Sequence, residues 1–462
     1  MIVESVYRHG ASPHEEGEMK AARFTCGVLI LVLVVGLLPL LAACGGDDDT
    51  TTTSAQVTTT SAAAQTTTSA AGQTTTSAAT QTTTPAAGPA ETYTIGLIHS
   101  MSGVMAAAFN AVTEAMPLVE EILNSRGGFT VNGQQYNIKL IVEDDMSTTD
   151  GAIAAAKKLN GAGVKQIIAP QFIPNNAAIA SICEQSKILR VVSIGPNLAE
   201  YAADNSYYCF AAVSTAVGAQ ATLDKTFELY PNVKKIAVVA QDDPGIQDIV
   251  GRAREDFLRR GMEITVDEQF PVDIQDFYPL ITKALATEPD AIAGIAGAPP
   301  YAKGLIESMR QMGFAGPLVT SAGWGDPVQL TKLIDPQYNT DFPMQQPDVT
   351  SDLMPQIVKD LKALSDAKGM TMQLDYTLLL GGVWTIVQGI EKAQSFDNDA
   401  IVAAMETMDF DTVYGPGKMV GAEDIAGVNI GQNRMMATPI PFSRIMNGQL
   451  EFEWLPAPTP GS

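Results

Sequence analysis

From Tyr93 onwards, the chain alternates short β-rich runs with longer amphipathic stretches. This alternation is typical of βαβ units, in which a helix connects neighbouring parallel strands. Strands are predicted at residues 93–98, 136–142, 166–169, 189–194, 235–240, 262–267, 291–295 and 318–321. Helices are predicted at residues 105–125, 151–160, 176–187, 216–229, 245–260, 275–285 and 301–312. The pattern therefore predicts an α/β protein with two doubly wound sheets.

A doubly wound sheet binds its ligands beyond the carboxyl ends of its strands. A binding site is therefore expected in the loops that follow the predicted strands. These loops begin at His99, Pro170, Gly195, Gln241, Ala296 and Ala322.

Length and charge narrow the possible functions. The chain has 462 residues, of which 46% are hydrophobic, so it is long enough to form more than one core. Asp and Glu outnumber Lys and Arg by 51 to 28, which gives a net charge of −23. Such a chain repels phosphate backbones, and nucleic-acid binding is not expected.

The N-terminal region has the features of a secretion signal. Lys20 and Arg23 precede an apolar run that ends in the string LAAC, with Cys44 as its last residue. This string resembles the lipobox of bacterial lipoproteins, which implies cleavage before Cys44 and lipidation of its thiol. Residues 1–44 are therefore interpreted as a signal peptide, with an uncleaved membrane helix as the alternative. Two starts stay open, Met1 and Met19, because Met19 is followed by a better signal.

Residues 45–90 are predicted to form a disordered tether. They contain the octapeptides TTTSAAAQ, TTTSAAGQ and TTTSAATQ, which have no large apolar residue. Such a segment cannot bury enough surface to offset the entropy of ordering. Its hydroxyl groups are possible sites of glycosylation.

Few residues downstream of the signal are suited to catalysis. His99 is the only histidine after Cys44, so histidine-rich metal sites are excluded. The sequence has no GxSxG elbow, no P-loop and no paired CxxC motif. We therefore expect neither an enzyme nor a cofactor, although a hydrolase with two catalytic carboxylates remains open.

Several segments in the same order resemble the leucine/isoleucine/valine-binding protein family of type I periplasmic-binding proteins. They are IGLIHSMSG at residues 95–103, EILNSRGG at 121–128, LIVEDDMSTTDGAIAAAKKL at 140–159, KKIAVVAQDDPG at 234–245, AKGLIESMRQMGF at 302–314 and FDTVYGPGKM at 410–419. No single segment is decisive, and the resemblance depends on their shared order over residues 93–455.

The resemblance implies two lobes joined by a three-strand hinge, with crossings near Val213, Met344 and Met435. Lobe 1 would comprise residues 91–213 and 345–434, and lobe 2 would comprise residues 214–344 and 435–462. The lobes would close around a small ligand, and the protein is expected to be a monomer. The implied partner is the membrane-spanning permease of an ABC importer on the extracytoplasmic face of the membrane. An extracellular sensor with the same lobes is the alternative.

Candidate ligand-binding residues come from the loops at the strand ends and from the family resemblance. They are Ser102, Phe109, Ile173, Asn175, Gly195, Asn197, Asp243, Ile295, Ala322 and Trp324. For Ser102 and Phe109, local capping and core packing are the alternatives. Ala322 stands where amino-acid binders have the acid that pairs with the ligand's ammonium group, and Ile295 stands where they have an aromatic residue. The ligand class therefore stays open among branched-chain amino acids, amides and small carboxylates, with Asp242, Asp243 or Asp326 as replacement acids.

Cys183 and Cys209 lie on a predicted helix and near a strand of the same lobe. In an oxidising compartment they could form a disulfide bond, and two buried thiols are the alternative.

Overall fold

The structure, a computed structural model, describes residues 89–193, 205–213, 215–242, 247–271, 273–296, 299–320, 325–339, 341–420, 424–425, 428–429 and 434–458. The strands are β1 (Glu91–His99), β2 (Phe129–Val131), β3 (Gln134–Asp144), β4 (Gln166–Ile168), β5 (Leu189–Val192), β6 (Tyr208–Phe210), β7 (Lys235–Gln241), β8 (Glu263–Phe270), β9 (Ala291–Ile295), β10 (Leu318–Val319), β11 (Phe342–Met344), β12 (Asp409–Thr412), β13 (Gly415–Val420), β14 (Asp424–Ile425), β15 (Val428–Asn429), β16 (Arg434–Ala437), β17 (Ile440–Met446) and β18 (Gln449–Leu455).

The helices alternate with the strands over the first two thirds of this region. They are α1 (Ala106–Ser125), α2 (Thr149–Gly161), α3 (Ile173–Gln185), α4 (Thr215–Leu229), α5 (Gln247–Arg259), α6 (Tyr278–Leu285), α7 (Pro299–Gln311), α8 (Pro327–Leu333), α9 (Gln356–Ala367), α10 (Leu374–Ala393) and α11 (Asn398–Met405). None of these helices combines the length and the apolar character that crossing a bilayer requires.

The first sheet has nine strands in the order β12-β13-β16-β6-β5-β4-β1-β3-β2. Strands β3, β1, β4, β5, β6 and β16 run parallel. Strand β2 pairs antiparallel with β3 at one edge, and β13 and β12 continue antiparallel at the other edge. This sheet and its flanking helices α1–α3 and α9–α11 are called the first lobe below.

The second sheet has four strands in the order β10-β9-β7-β8, and all of its pairs are parallel. Its strands repeat the order of β3, β1, β4 and β5 in the first sheet. This sheet and helices α4–α8 are called the second lobe. Two parallel sheets with this strand order confirm the predicted doubly wound α/β architecture.

Each parallel sheet is buried on both faces, as its apolar strands require. In the first lobe, one apolar cluster includes α2 and α3, and a larger cluster includes α1, α9 and α10. In the second lobe, one cluster includes α6 and α7, and the other includes α4 and α5. The cores therefore lie on both sides of each sheet.

A third sheet, with strands β11, β17 and β18, belongs to neither parallel sheet. Phe342, Met344 and Ile445 from this sheet lie in the core of the second lobe. Ile440 lies in the core of the first lobe, and Trp454 packs against that core. The small antiparallel sheet thus contributes to both cores.

Candidate functional site

The order of each parallel sheet reverses at one point. In the first lobe this point lies between β1 and β4, and in the second lobe it lies between β7 and β9. The loops after these strands diverge to opposite faces of the sheet and leave a crevice at the carboxyl ends. These loops therefore form the candidate binding region.

The loop after β1 is held by the carboxylate of Asp144 at the end of β3. Its Oδ1 accepts the backbone N–H groups of Met101, Ser102 and Met146 at 3.0, 3.2 and 2.8 Å. Its Oδ2 accepts the hydroxyl of Ser102 at 2.6 Å. Ser102, a predicted ligand residue, is exposed. Its hydroxyl already donates to Asp144 within the protein.

The pKa of Asp144 is lowered as a result of this arrangement. Partial burial raises it, but the bonds from the Ser102 hydroxyl and from three backbone N–H groups stabilise the charged form and prevail. Asp144 therefore acts as an ionised anchor for the loops after β1 and β3.

Asn175 lies in the first turn of α3, directly after the loop that follows β4. Asn175 is 0% exposed, and among the described residues neither its amide oxygen nor its amide nitrogen has a hydrogen-bond partner. Its backbone N–H donates to the carbonyl of Phe172. Buried amides are nearly always bonded, so an unpartnered one next to a switch point suggests a partner from outside the chain.

A carboxylate from another part of the chain reaches the loop after β4. The side-chain amide of Gln171 in this loop donates to Oδ1 of Asp375 at 3.3 Å, and Oε1 of Gln171 has no partner among the residues that the structure describes. Asp375 lies in the first turn of α10. Burial raises its pKa, the bond from Gln171 opposes this, and the negative charge of Asp326 raises it further.

Asp326 is the corresponding carboxylate of the second lobe. It caps α8 by accepting the N–H of Val328, and it also accepts the N–H of Leu374 at 3.3 Å. Burial raises its pKa against the effect of these bonds, and the charge of Asp348 adds to the rise. The two lobes thus bring together two carboxylates, and the neighbouring charges that act on them are also negative.

The remaining predicted ligand residues divide into two groups. Ile295 ends β9 and is fully buried among the core residues of the second lobe. Phe109 lies on α1, and Ile173 is the first residue of α3. Gly195, Asn197, Asp243, Ala322, Trp324 and the predicted lipid-anchor residue Cys44 lie outside the described residues.

Cys183 on α3 and Cys209 on β6 are both fully buried. They belong to separate apolar clusters of the first lobe. The disulfide bond between them stays a prediction, with two buried thiols as the alternative. Both side chains contribute to apolar packing, as small hydrophobic residues do.

Within the described part of the chain, no group of three or more His, Cys, Asp or Glu side chains is arranged to hold a metal ion. Asp375 and Gln171 were not among the residues predicted from the sequence. Asp375 lies in the first turn of a helix that does not directly follow a parallel strand, so the pattern of loops at strand ends gave no signal for it. Gln171 directly precedes the predicted residues Ile173 and Asn175, and its position after β4 was the only signal.

Comparisons with known proteins agree with this geometry. The family model described as "Periplasmic binding protein" matches residues 92–431. The leucine-binding protein LivK of Thermotoga maritima has a similar structure, with a TM-score of 0.61 and 20% identity over 79% of this chain and 98% of that chain. LivJ of Streptococcus pneumoniae, a branched-chain amino acid transporter substrate-binding protein in complex with isoleucine, has a TM-score of 0.61 and 17% identity over 79% and 99%.

A third similar structure is an ABC transporter solute-binding protein of Rhodopseudomonas palustris in complex with 4-hydroxybenzoate. It has a TM-score of 0.64 and 17% identity over 80% of this chain and 97% of that chain. The family match spans most of the chain, including the whole second sheet and the first sheet apart from β16, and it confirms the resemblance found in the sequence. The chain therefore belongs to the periplasmic binding protein family.

Proposed function

We propose that this protein is an extracytoplasmic solute-binding lipoprotein of an ABC importer. It captures a small ligand between its two lobes and presents the ligand to the permease. A lipid on Cys44 would keep the protein at the membrane. The predicted tether, residues 45–90, would let the folded domain move some distance from the membrane surface. Membership of the periplasmic binding protein family supports the binding role.

The unpartnered amide of Asn175 is the observation that carries the proposal. An amide buried without hydrogen bonds costs about 1–3 kcal/mol, which the protein would recover when a ligand supplies the missing partners. Asn175 lies beside the switch point of the first sheet, where ligands of doubly wound folds bind. A polar ligand group next to α3 accounts for both facts.

The ligand class follows from the carboxylates near this region. Asp326 and Asp375 would favour a ligand that carries a protonated amine, because a cation between them offsets the cost of their burial. We therefore place branched-chain amino acids and related amides before simple carboxylates. LivJ binds isoleucine, and a solute-binding protein of R. palustris binds 4-hydroxybenzoate, so the two compounds make suitable opposing probes.

The test is a thermal-shift and calorimetric titration of the purified protein with isoleucine and with 4-hydroxybenzoate. A ligand at a hundred times its Kd stabilises the folded state by about 2.7 kcal/mol, which raises the melting temperature measurably. We expect isoleucine to stabilise the protein and to be recovered unchanged. Stabilisation by 4-hydroxybenzoate alone would overturn the ligand class, and turnover of any added solute would overturn the binding function.

Trp324→Ala, at a predicted pocket position, should weaken binding through lost apolar contact. Ala363→Ser on the exposed side of α9 is the matched control, and it should leave the titration unchanged.

A further inference from the structure

Helix α10 of the first lobe begins without a cap of its own. Its N-cap residue, Gln373, makes no side-chain capping hydrogen bond. The first N–H groups of a helix have no partner within the helix, so they need one from outside it. Leu374, whose N–H is the first of these, is 7% exposed, and water has little access to it.

The missing cap comes from the second lobe. Oδ2 of Asp326 accepts the N–H of Leu374 at 3.3 Å, while Oδ1 accepts the N–H of Val328 at 2.8 Å. One carboxylate thus caps the beginnings of two helices that pack on different sheets. Both helix N-termini favour a negative charge, and the 8% exposure of Asp326 strengthens these bonds.

A second bond joins the same two helix beginnings. The side-chain amide of Gln329 donates to Oε1 of Gln373 at 3.3 Å. Gln329 lies in the first turn of α8, the helix that Asp326 caps. The contact between α8 and α10 therefore has two points.

This contact continues towards the candidate binding region through neighbouring residues of α10. The N–H of Leu374 donates to Asp326, and the carboxylate of Asp375 beside it accepts the side-chain amide of Gln171 at 3.3 Å. Gln171 belongs to the loop at the switch point of the first sheet. Through these two hydrogen bonds, a displacement of α8 relative to α10 would also displace the loop that precedes Asn175.

We infer that Asp326 is a positioning residue that acts across the two lobes: its carboxylate fixes α10 against α8 and so holds the Gln171 loop in its ligand-binding position. The inference rests on the proposed function for the meaning of that loop, but the cap itself can be tested without ligand. An N-cap of this type typically shifts an equilibrium by about fivefold, which is the expected size of the effect on the position of the lobes.

The experiment is amide hydrogen exchange on the full-length, ligand-free protein, read by mass spectrometry. In Asp326→Ala, exchange should increase about fivefold in peptides that cover residues 374–377 and residues 169–176, in addition to residues 327–330. Asp397→Ala is the matched control, because Asp397 caps α11 entirely within the first lobe. It should speed exchange at residues 398–401 and leave residues 374–377 and 169–176 unchanged.

An increase confined to residues 327–330 in Asp326→Ala would overturn the inference, since the carboxylate would then serve α8 alone. If this variant does not fold, Gln329→Ala removes the second bond between the helices and leaves the cap of α8 intact. It should produce a smaller increase at residues 374–377, and an unchanged profile would overturn the inference equally.

Small-angle scattering of the same ligand-free samples measures the position of the lobes. We expect a larger radius of gyration in Asp326→Ala and an intermediate one in Asp326→Asn, whose single carbonyl oxygen replaces two acceptors. Equal radii in all three proteins would contradict a role across the lobes. A failure of isoleucine to bind wild-type protein would instead count against the proposed function, because neither measurement above depends on ligand.

Discussion

Two buried asparagines of the first lobe differ in how their amides are satisfied. Asn398 accepts from the side chain of Gln166 and donates to the carbonyls of Lys165 and Lys187 at 2.7–2.8 Å. Asn175 is also buried, and in the part of the chain that the structure describes both of its side-chain polar atoms lack partners. Asn398 therefore stabilises the fold, whereas Asn175 costs stability in the absence of ligand.

Asn175→Leu should stabilise the ligand-free protein by about 1 kcal/mol, because a leucine of similar size removes the unpaired amide. The same change should weaken ligand binding. Asn398→Leu is the control and should destabilise the protein by roughly 3 kcal/mol, since three polar groups lose their partner. Denaturant unfolding measures both effects, and equal losses of stability would mean that Asn175 is already bonded to water in the ligand-free state.

The pKa of Asp375 is raised by burial and by the charge of Asp326, so its ionised form is less stable in the folded than in the unfolded chain. This penalty is fully present above the folded pKa and disappears as the pH falls below the unfolded value, about 3.9. Asp375→Asn should therefore raise the denaturation midpoint at pH 7 and give a smaller difference at pH 4.

Asp144→Asn provides the opposite case. The lowered pKa of Asp144 means that its charge stabilises the fold above the unfolded pKa, and this contribution is lost as the pH falls through the folded pKa. The variant should be less stable than wild type at pH 7. A lower midpoint for both variants at pH 7 would contradict the opposite electrostatic roles of the two carboxylates.

At the scale of elements, the parallel strands of both lobes were predictable because each is a short apolar run followed by an amphipathic helix. Strands β1, β3, β4, β5 and β7–β10 all overlap their predicted ranges. Beyond residue 321 the alternation predicted no element, and the family resemblance implied only the hinge crossings near Met344 and Met435, although α8–α11 and β11–β18 follow there. In this part helices succeed helices and strands form antiparallel pairs, so the alternation that guided the prediction is absent.

The short strand β2 was missed for a different reason. It has three residues and pairs with β3 across a tight turn, so its apolar run is too short to indicate a strand in the sequence. Gly128 before it has φ +63°, and a Cβ there would lie 1.9 Å from the carbonyl oxygen of Tyr136. The glycine that resembled a family motif is thus required by the close approach of β3.

Cys183 and Cys209 pack in separate apolar clusters, which favours two thiols over the predicted disulfide bond. After denaturation without reductant, alkylation with iodoacetamide should modify both cysteines, as peptide mapping would reveal. The same digest after reduction serves as the control for complete labelling. Protection of both peptides until reductant is added would demonstrate the disulfide bond and contradict the packing.

At the scale of the whole molecule, the sequence predicted only those residues of the candidate site that follow the ends of parallel strands. Ser102 and Asn175 were found because they follow parallel strands. Asp375 reaches the site from α10, after the chain has passed through the second lobe and returned. Spatial neighbours that are about 200 residues apart leave no mark in the local sequence pattern.

Membrane attachment should depend on Cys44 if the LAAC string is a lipobox. Cys44→Ala should release the protein from the membrane fraction. Cys26→Ala, within the apolar run, is the matched control and should retain normal anchoring. Fractionation followed by intact mass measurement distinguishes these outcomes. A Cys44→Ala protein that stays in the membrane with its N-terminus uncleaved would support a transmembrane anchor instead.

The character of the ligand can be tested at Ala322, which aligns with the acid that binds the ammonium group in amino-acid binders. If Asp326 and Asp375 already provide that charge from the two lobes, Ala322→Glu adds a third carboxylate to the predicted pocket. Isoleucine affinity should then change little or fall, because one ammonium cannot neutralise three acids.

Asp375→Asn should weaken isoleucine binding by roughly tenfold, about the loss of one charged hydrogen bond. The converse result, tighter isoleucine binding by Ala322→Glu with no effect of Asp375→Asn, would mean that wild-type protein lacks an ammonium partner and takes a neutral or anionic ligand. Calorimetric titration of the two variants and wild type with isoleucine and 4-hydroxybenzoate decides between these cases.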